Sequence, residues 1–189
     1  MFHLADQLVA LTEHRDRELL DVRLTEGVMR VLGPFSVAIV AVTEEHEQRR
    51  WLSLTYQERD CALERLDPLH SDFASLQALD AVAHRRDCLE LLRPVLLTPR
   101  DDWVLHLSCF PLAVGLRTSG PGVLEIYSET ALSAQALDSV SRLLRVYCNM
   151  YGVLEYSERD SLTGLLNRKS FDDSFYQVLQ EPRPAGRCA

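Results

Sequence analysis

Apolar positions recur at three- and four-residue steps through the first thirty residues: Leu4, Leu8 and Leu11, then Leu19, Val22, Val28 and Leu32. That spacing predicts one long amphipathic helix over 3–32, stopped by Gly33-Pro34 because proline drives the residue before it out of the helical region. The period then changes. A β-branched run at 35–43 and an alternating run at 51–57 predict an antiparallel hairpin across the charged segment EEHEQRR. In the second strand Leu52, Leu54 and Tyr56 are expected on one side, Ser53 and Thr55 on the other. Residues 60–98 read as irregular and mostly helical, interrupted by Pro68 and Pro94. Strand character returns at 102–110, 112–118 and 123–129, with a turn over 119–122. Ser133 then offers a cap for a long helix to about Tyr156.

This order predicts an α+β domain: an antiparallel sheet of about five to six strands, with long N- and C-terminal helices packed on one face. The layout resembles the GAF fold and, less closely, the PAS fold. The resemblance implies a sensor domain over 1–156 that includes the long C-terminal helix.

Residues 157–175, SERDSLTGLLNRKSFDDSF, carry a more specific pattern. Asp160, Leu162, Thr163, Gly164, Leu165, Asn167 and Arg168 resemble the opening of GGDEF diguanylate cyclase domains, commonly Asp-x-Leu-Thr-Gly-Leu-x-Asn-Arg. On its own chemistry Asp160 suits a helix N-terminus, and Gly164 suits a close or unusual backbone turn. The resemblance implies that Asp160 and Arg168 brace a signalling turn within which Thr163 and Asn167 hydrogen-bond. It makes 157–189 the truncated start of a GGDEF domain. The family's metal-binding aspartate, guanine-side segment and Gly-Gly-Asp/Glu-Glu-Phe loop do not occur before Ala189, nor does its inhibitory Arg-x-x-Asp site. Phosphoryl transfer from GTP requires carboxylate-held divalent metal near the phosphates. The chain is therefore expected to be inactive and to need no cofactor. Magnesium and GTP would belong to the missing catalytic region of a parent cyclase. Two other readings stand beside this one: a non-enzymatic interaction module with a degenerate GGDEF domain, and a regulator of an EAL phosphodiesterase.

The long C-terminal helix shows two apolar stripes. Leu137, Leu144 and Tyr151 fall seven apart, as do Val140, Tyr147 and Leu154, which predicts a coiled-coil seam to a second copy. Leu143, Val146, Met150 and Val153 form the other stripe. Six seam residues at ~1.5–3 kcal/mol each supply on the order of 10 kcal/mol. Association itself costs ~4–15 kcal/mol, so a homodimer is expected to use the N-terminal helix as well. A parallel dimer would suit a cyclase that joins two GTP molecules across a two-fold axis.

Composition narrows the rest. Of 189 residues, 47% are hydrophobic and 25% charged, enough for a real core, and the net charge of -8 opposes binding to nucleic acid. The apolar run around Phe35–Val42 is far short of the roughly 20 residues that cross a bilayer. The N-terminus turns polar too early for a secretory signal. These features predict a cytoplasmic protein without membrane contact. Five scattered cysteines form no Cys-x-x-Cys pair and read as reduced thiols, so no metal site is expected. A small-molecule ligand is the remaining expectation, with Arg85, Arg86, His106 and Cys109 as its candidate contacts and His70, His84 and Cys88 as further candidates.

Overall fold

The computed structural model describes residues 4–13, 16–65, 71–99, 104–112 and 120–158. Four helices run over Leu4–Thr12 (α1), Arg17–Leu32 (α2), Ala83–Leu91 (α3) and Ala134–Glu158 (α4). The strands are Ser36–Glu45 (β1), Gln48–Glu58 (β2), Glu64–Arg65 (β3), Gln77–Ala78 (β4), Val95–Leu97 (β5), His106–Leu112 (β6) and Gly122–Ser128 (β7). They form one antiparallel sheet in the order β3-β2-β1-β7-β6-β5, with β4 also paired to β2. Contacts divide the chain into two units, Met1–Tyr151 and Gly152–Ala189, and α4 crosses that division.

The single opening helix expected over 3–32 is two helices. Between Leu11 and Leu19 the sequence TEHRDRE has no apolar side chain to bury, and Asp16 takes the cap instead. Its carboxylate accepts the Glu18 and Leu19 backbone N–H groups at 2.7 and 3.4 Å. The buried stripe of α2 is Leu20, Leu24 and Val28, rotated from the expected Leu19 and Val22. Gly33 ends α2 as anticipated, at φ 58° with its N–H bonded to the Met29 carbonyl at 2.9 Å. A Cβ at Gly33 would meet nothing within 4 Å, so only backbone strain opposes a side chain there. Gly33→Ala should therefore destabilise the domain by about 1–2 kcal/mol, read as a shifted urea midpoint at constant slope.

The expected β1–β2 hairpin forms, but its turn contracts to His46-Glu47, both at positive φ, as two-residue hairpin turns require. Its register breaks between Ile39 and Val40: Ile39 faces Thr55 while Val40 faces Ser53. This bulge reverses the expected alternation. Thr55 joins Leu52 on one face, and Trp51, Ser53 and Tyr56 share the other.

Two faces follow from the registers. On one, Val37, Ile39, Leu124, Ile126, Phe110 and Leu112 align across β1, β7 and β6. Helix α2 packs against β1 and β2, and the buried hydroxyls of Thr25 and Thr55 meet at 2.7 Å. Helix α4 joins α2 through Tyr147, whose hydroxyl donates to the buried Asp21 carboxylate at 2.6 Å. Ser133 caps α4 through its hydroxyl, 3.2 Å from the Ala136 N–H.

The other face carries Ala38, Val40, Val42, Trp51, Cys109 and Val123, which cluster with Cys88 of α3. Helix α3 packs against β6 and β7 here. The largely helical insert expected over 60–98 is only one short helix; short strands and 3-10 turns fill the described remainder. Of the strand expected over 112–118, residues 113–118 lie outside the described residues.

Candidate functional site

Strand β7 places the site's central charge. In Val123-Leu-Glu-Ile-Tyr127 the period of two sends Leu124 and Ile126 toward the α2 face, and Val123, Glu125 and Tyr127 toward α3. Glu125 is flanked by Ala38 on β1 and Cys109 on β6, both small, so its carboxylate sits in the sheet's middle at 1% exposure.

Such a burial is tolerable only with partners. The first turn of α3 supplies them. Arg85 grips the carboxylate with both prongs, Nε to Oε1 at 2.7 Å and Nη2 to Oε2 at 2.8 Å. His84 donates from Nε2 to Oε1 at 2.7 Å, and the Tyr127 hydroxyl reaches Oε2 at 3.5 Å. Burial alone would raise the Glu125 carboxyl, but hydrogen bonds from His84 and Arg85, and the charge of Arg85, hold it below the usual carboxylate range. Arg85 is likewise more firmly protonated: Glu125 outweighs the desolvation that would lower it. Burial first, and then the Glu125 charge, pushes the Tyr127 hydroxyl up. Both carboxylate oxygens of Glu125 are thus engaged, which makes the group a brace between helix and sheet.

Trp51 completes the brace. The Arg85 guanidinium lies 5.8 Å from its ring centroid, and its indole N–H donates to the Leu79 carbonyl at 3.1 Å. Arg50 similarly donates to the Leu76 carbonyl at 2.7 Å and stacks 5.2 Å from the Phe73 ring. Strand β2 therefore stitches the irregular segment 71–82 over the sheet. Between them lies a cavity of about 710 Å³, within the range of small-molecule sites. Phe35, Trp51 and Tyr56 contribute its aromatic wall, Ser71, Asp72 and Ser75 its outer polar rim, and Arg85, Glu125 and Tyr127 its charged end.

Of the expected ligand contacts, Arg85 reaches the cavity, already committed to Glu125. Arg86 points away, 3.2 Å from Asp87 and 3.6 Å from Asp80. His106 pairs with Ser128, a register that sets it on the α2 face with Ser108 and Phe110, opposite the cavity. Cys109 is on the cavity face but fully covered by α3 and does not line the cavity. His70 lies outside the described residues. The sequence reading missed Glu125 and Trp51. A single carboxylate inside the apolar strand VLEIYS was the available signal for Glu125.

The expected dimer seam is also placed differently. Val140, Tyr147 and Tyr151 are fully buried and Leu154 is 4% exposed within the single chain, while Leu137 and Leu144 are half-buried. Tyr147 and Tyr151 rings stand 5.3 Å apart, and Arg17 of α2 lies over Tyr151 at 5.2 Å. The chain itself covers most of the stripe assigned to a partner. Of the second stripe, Leu143 is buried, Val146 and Met150 are half-buried, and Val153 is exposed. The turn residues Asp160, Leu162, Thr163, Gly164, Asn167 and Arg168 lie outside the described residues.

Among the described residues no helix is long and apolar enough to cross a membrane, and no group of three or more His, Cys, Asp or Glu side chains could hold a metal ion. No family model matches the chain, and no curated protein matches it. Solved structures do. Free methionine-R-sulfoxide reductase from Neisseria meningitidis, in complex with its substrate, superposes with a TM-score of 0.57 at 10% identity, covering 81% of this chain and 88% of that one. The GAF domain of an Acinetobacter phosphoenolpyruvate-protein phosphotransferase gives 0.52 at 15%, covering 79% and 90%. A GAF domain/HD domain protein from Geobacter sulfurreducens gives 0.50 at 12%, covering 79% and 98%. The chain has a GAF-type fold.

Proposed function

We propose that the chain is a cytoplasmic sensor and dimerisation module that controls a diguanylate cyclase. The observation that carries the reading is a juxtaposition in the chain: α4 leaves the sensor and runs to Glu158, two residues before Asp160 opens the string matching the GGDEF start. A ligand in the cavity would bear on Arg85 and the segment 71–82, and so on the α3–sheet brace. Asp160, Thr163, Asn167 and Arg168 would couple the helix to the cyclase.

Dimerisation falls to the outward stripe of α4. Val146, Met150 and Val153 follow at helical spacing along that helix. Three stripe residues at ~1.5–3 kcal/mol each supply roughly 5–9 kcal/mol, inside the ~4–15 kcal/mol that association costs, so the stripe alone gives a marginal dimer and the N-terminal helices are expected to contribute.

Two experiments test the reading. Translation past residue 189 is expected to reveal a Gly-Gly-Asp/Glu-Glu-Phe loop, and an immediate stop codon or a loop without acidic residues would remove the cyclase. Sedimentation should show a dimer that Met150→Glu with Val153→Glu converts to monomer without loss of helix content. Wild-type protein that stays monomeric at high micromolar concentration would end the dimer model.

A further inference from the structure

The brace and the cavity leave two nucleophilic side chains unused, and these face each other. Cys88 on α3 and Cys109 on β6 are both 0% exposed and belong to one apolar cluster. The Cys88 thiol donates to the Cys109 carbonyl at 3.4 Å across a sequence separation of 21. Cys109 pairs with Val95 on one side and Glu125 on the other, so its side chain rises from the sheet directly beneath α3. Each thiol is also the strongest influence on the other's proton. Contact with Cys109 lowers the Cys88 thiol; contact with Cys88, then burial, pushes the Cys109 thiol well up. The Cys88 proton is the more weakly held of the two, so its thiolate is the one that forms first.

We propose that Cys88 and Cys109 are a peroxide-oxidisable dithiol whose disulfide ties α3 to β6 behind the ligand cavity. The Cys88 thiolate attacks one peroxide oxygen; the O–O bond breaks, hydroxide leaves, and Cys88 becomes a sulfenic acid. Cys109 then attacks that sulfur; the S–S bond forms, the S–O bond breaks, and the departing hydroxide takes the Cys109 proton as water. The two sulfurs together lose two electrons, the peroxide gains them, and two waters result. Both thiols are fully covered, so the oxidant must be small enough to reach them during local opening of α3 from the sheet. Closing the bond would hold α3, and with it the Arg85 grip on Glu125, in place. The inference is independent of the cyclase reading.

The test uses the full chain with Cys61, Cys148 and Cys188 changed to Ser, treated with hydrogen peroxide, unfolded, alkylated with N-ethylmaleimide and mapped by mass spectrometry. The expected result is loss of both alkylation sites, a peptide holding Cys88 linked to one holding Cys109, and reversal by dithiothreitol. The melting temperature should rise by about 6–12 °C on oxidation, as for a loop of this length in a domain of this size. Cys88→Ala should abolish the link and the rise. If the triple variant folds poorly, the same peptide map on wild-type protein distinguishes this link from those made by Cys61. Both thiols remaining alkylatable after prolonged peroxide, or overoxidation without a link, would overturn the proposal and leave two small core residues.

Discussion

Glu125→Ala is expected to lower the melting temperature by about 10 °C. Removing one partner of a buried pair costs about 3–5 kcal/mol because the other charge stays behind uncompensated, and at this chain size each kcal/mol is worth about 2–4 °C. Arg85, at 16% side-chain exposure, regains some hydration, which favours the lower half of that range. His84 loses its acceptor as well. A double variant, Glu125→Leu with Arg85→Met, removes both charges and should recover most of the loss. Thermal melts of the three proteins check this, and equal melting temperatures for single and double variants would show that the brace is not electrostatic.

The acid limb gives a second readout of the same group. Its carboxyl lies below the ordinary range when folded. Its contribution is therefore complete above the unfolded value of about 4.3 and is lost as pH falls through the lower folded value. Urea midpoints of wild type should fall on acidification below about pH 4, and Glu125→Gln should flatten part of that slope.

Tyr147→Glu is expected to unfold the domain rather than to dissociate a dimer. The ring is fully buried and its hydroxyl donates at 2.6 Å to Asp21, itself 1% exposed. A carboxylate at 147 would be desolvated and set beside a like charge, a combination that exceeds about 4 kcal/mol. Loss of the cooperative thermal transition by circular dichroism is the expected outcome. Val153→Glu, by contrast, adds charge at a side chain 61% exposed and should keep a cooperative melt, lowered only by what dimerisation contributes. A Tyr147→Glu protein that melts near wild type would mean that α4 is not held against α2.

How far the site could be read in advance depends on where its determinants lie. The Gly33 stop and the Ser133 cap are written locally, in a left-handed turn and in a hydroxyl close to the next helix's N–H groups. The β1–β2 hairpin is equally local. The break at Asp16 was visible as a polar run, yet the apolar residues on either side continued a helical period, and that period misled. The bulge at Ile39/Val40 has no local signature, because it arises from pairing two strands. It decides that Thr55 meets Thr25, and that Tyr56 joins Trp51 on the cavity face.

The same division separates the two stripes of α4. Periodicity showed two oily faces and could not say which the chain would cover for itself. Tyr147 and Asp21 are 126 residues apart in sequence, and only the packing of α4 on α2 joins them. Arg85 was visible as a cation, and Glu125 as an anion in an apolar strand, but 40 residues separate them. By itself the sequence determined the α+β class, the β1–β2 hairpin, the Gly33 stop, the Ser133 cap and the chemical types available. The tertiary structure decided which faces are spent inside the chain and which charges become partners. Burial and pairing are properties of surfaces brought together, and no window along one strand or helix contains both sides of such a contact.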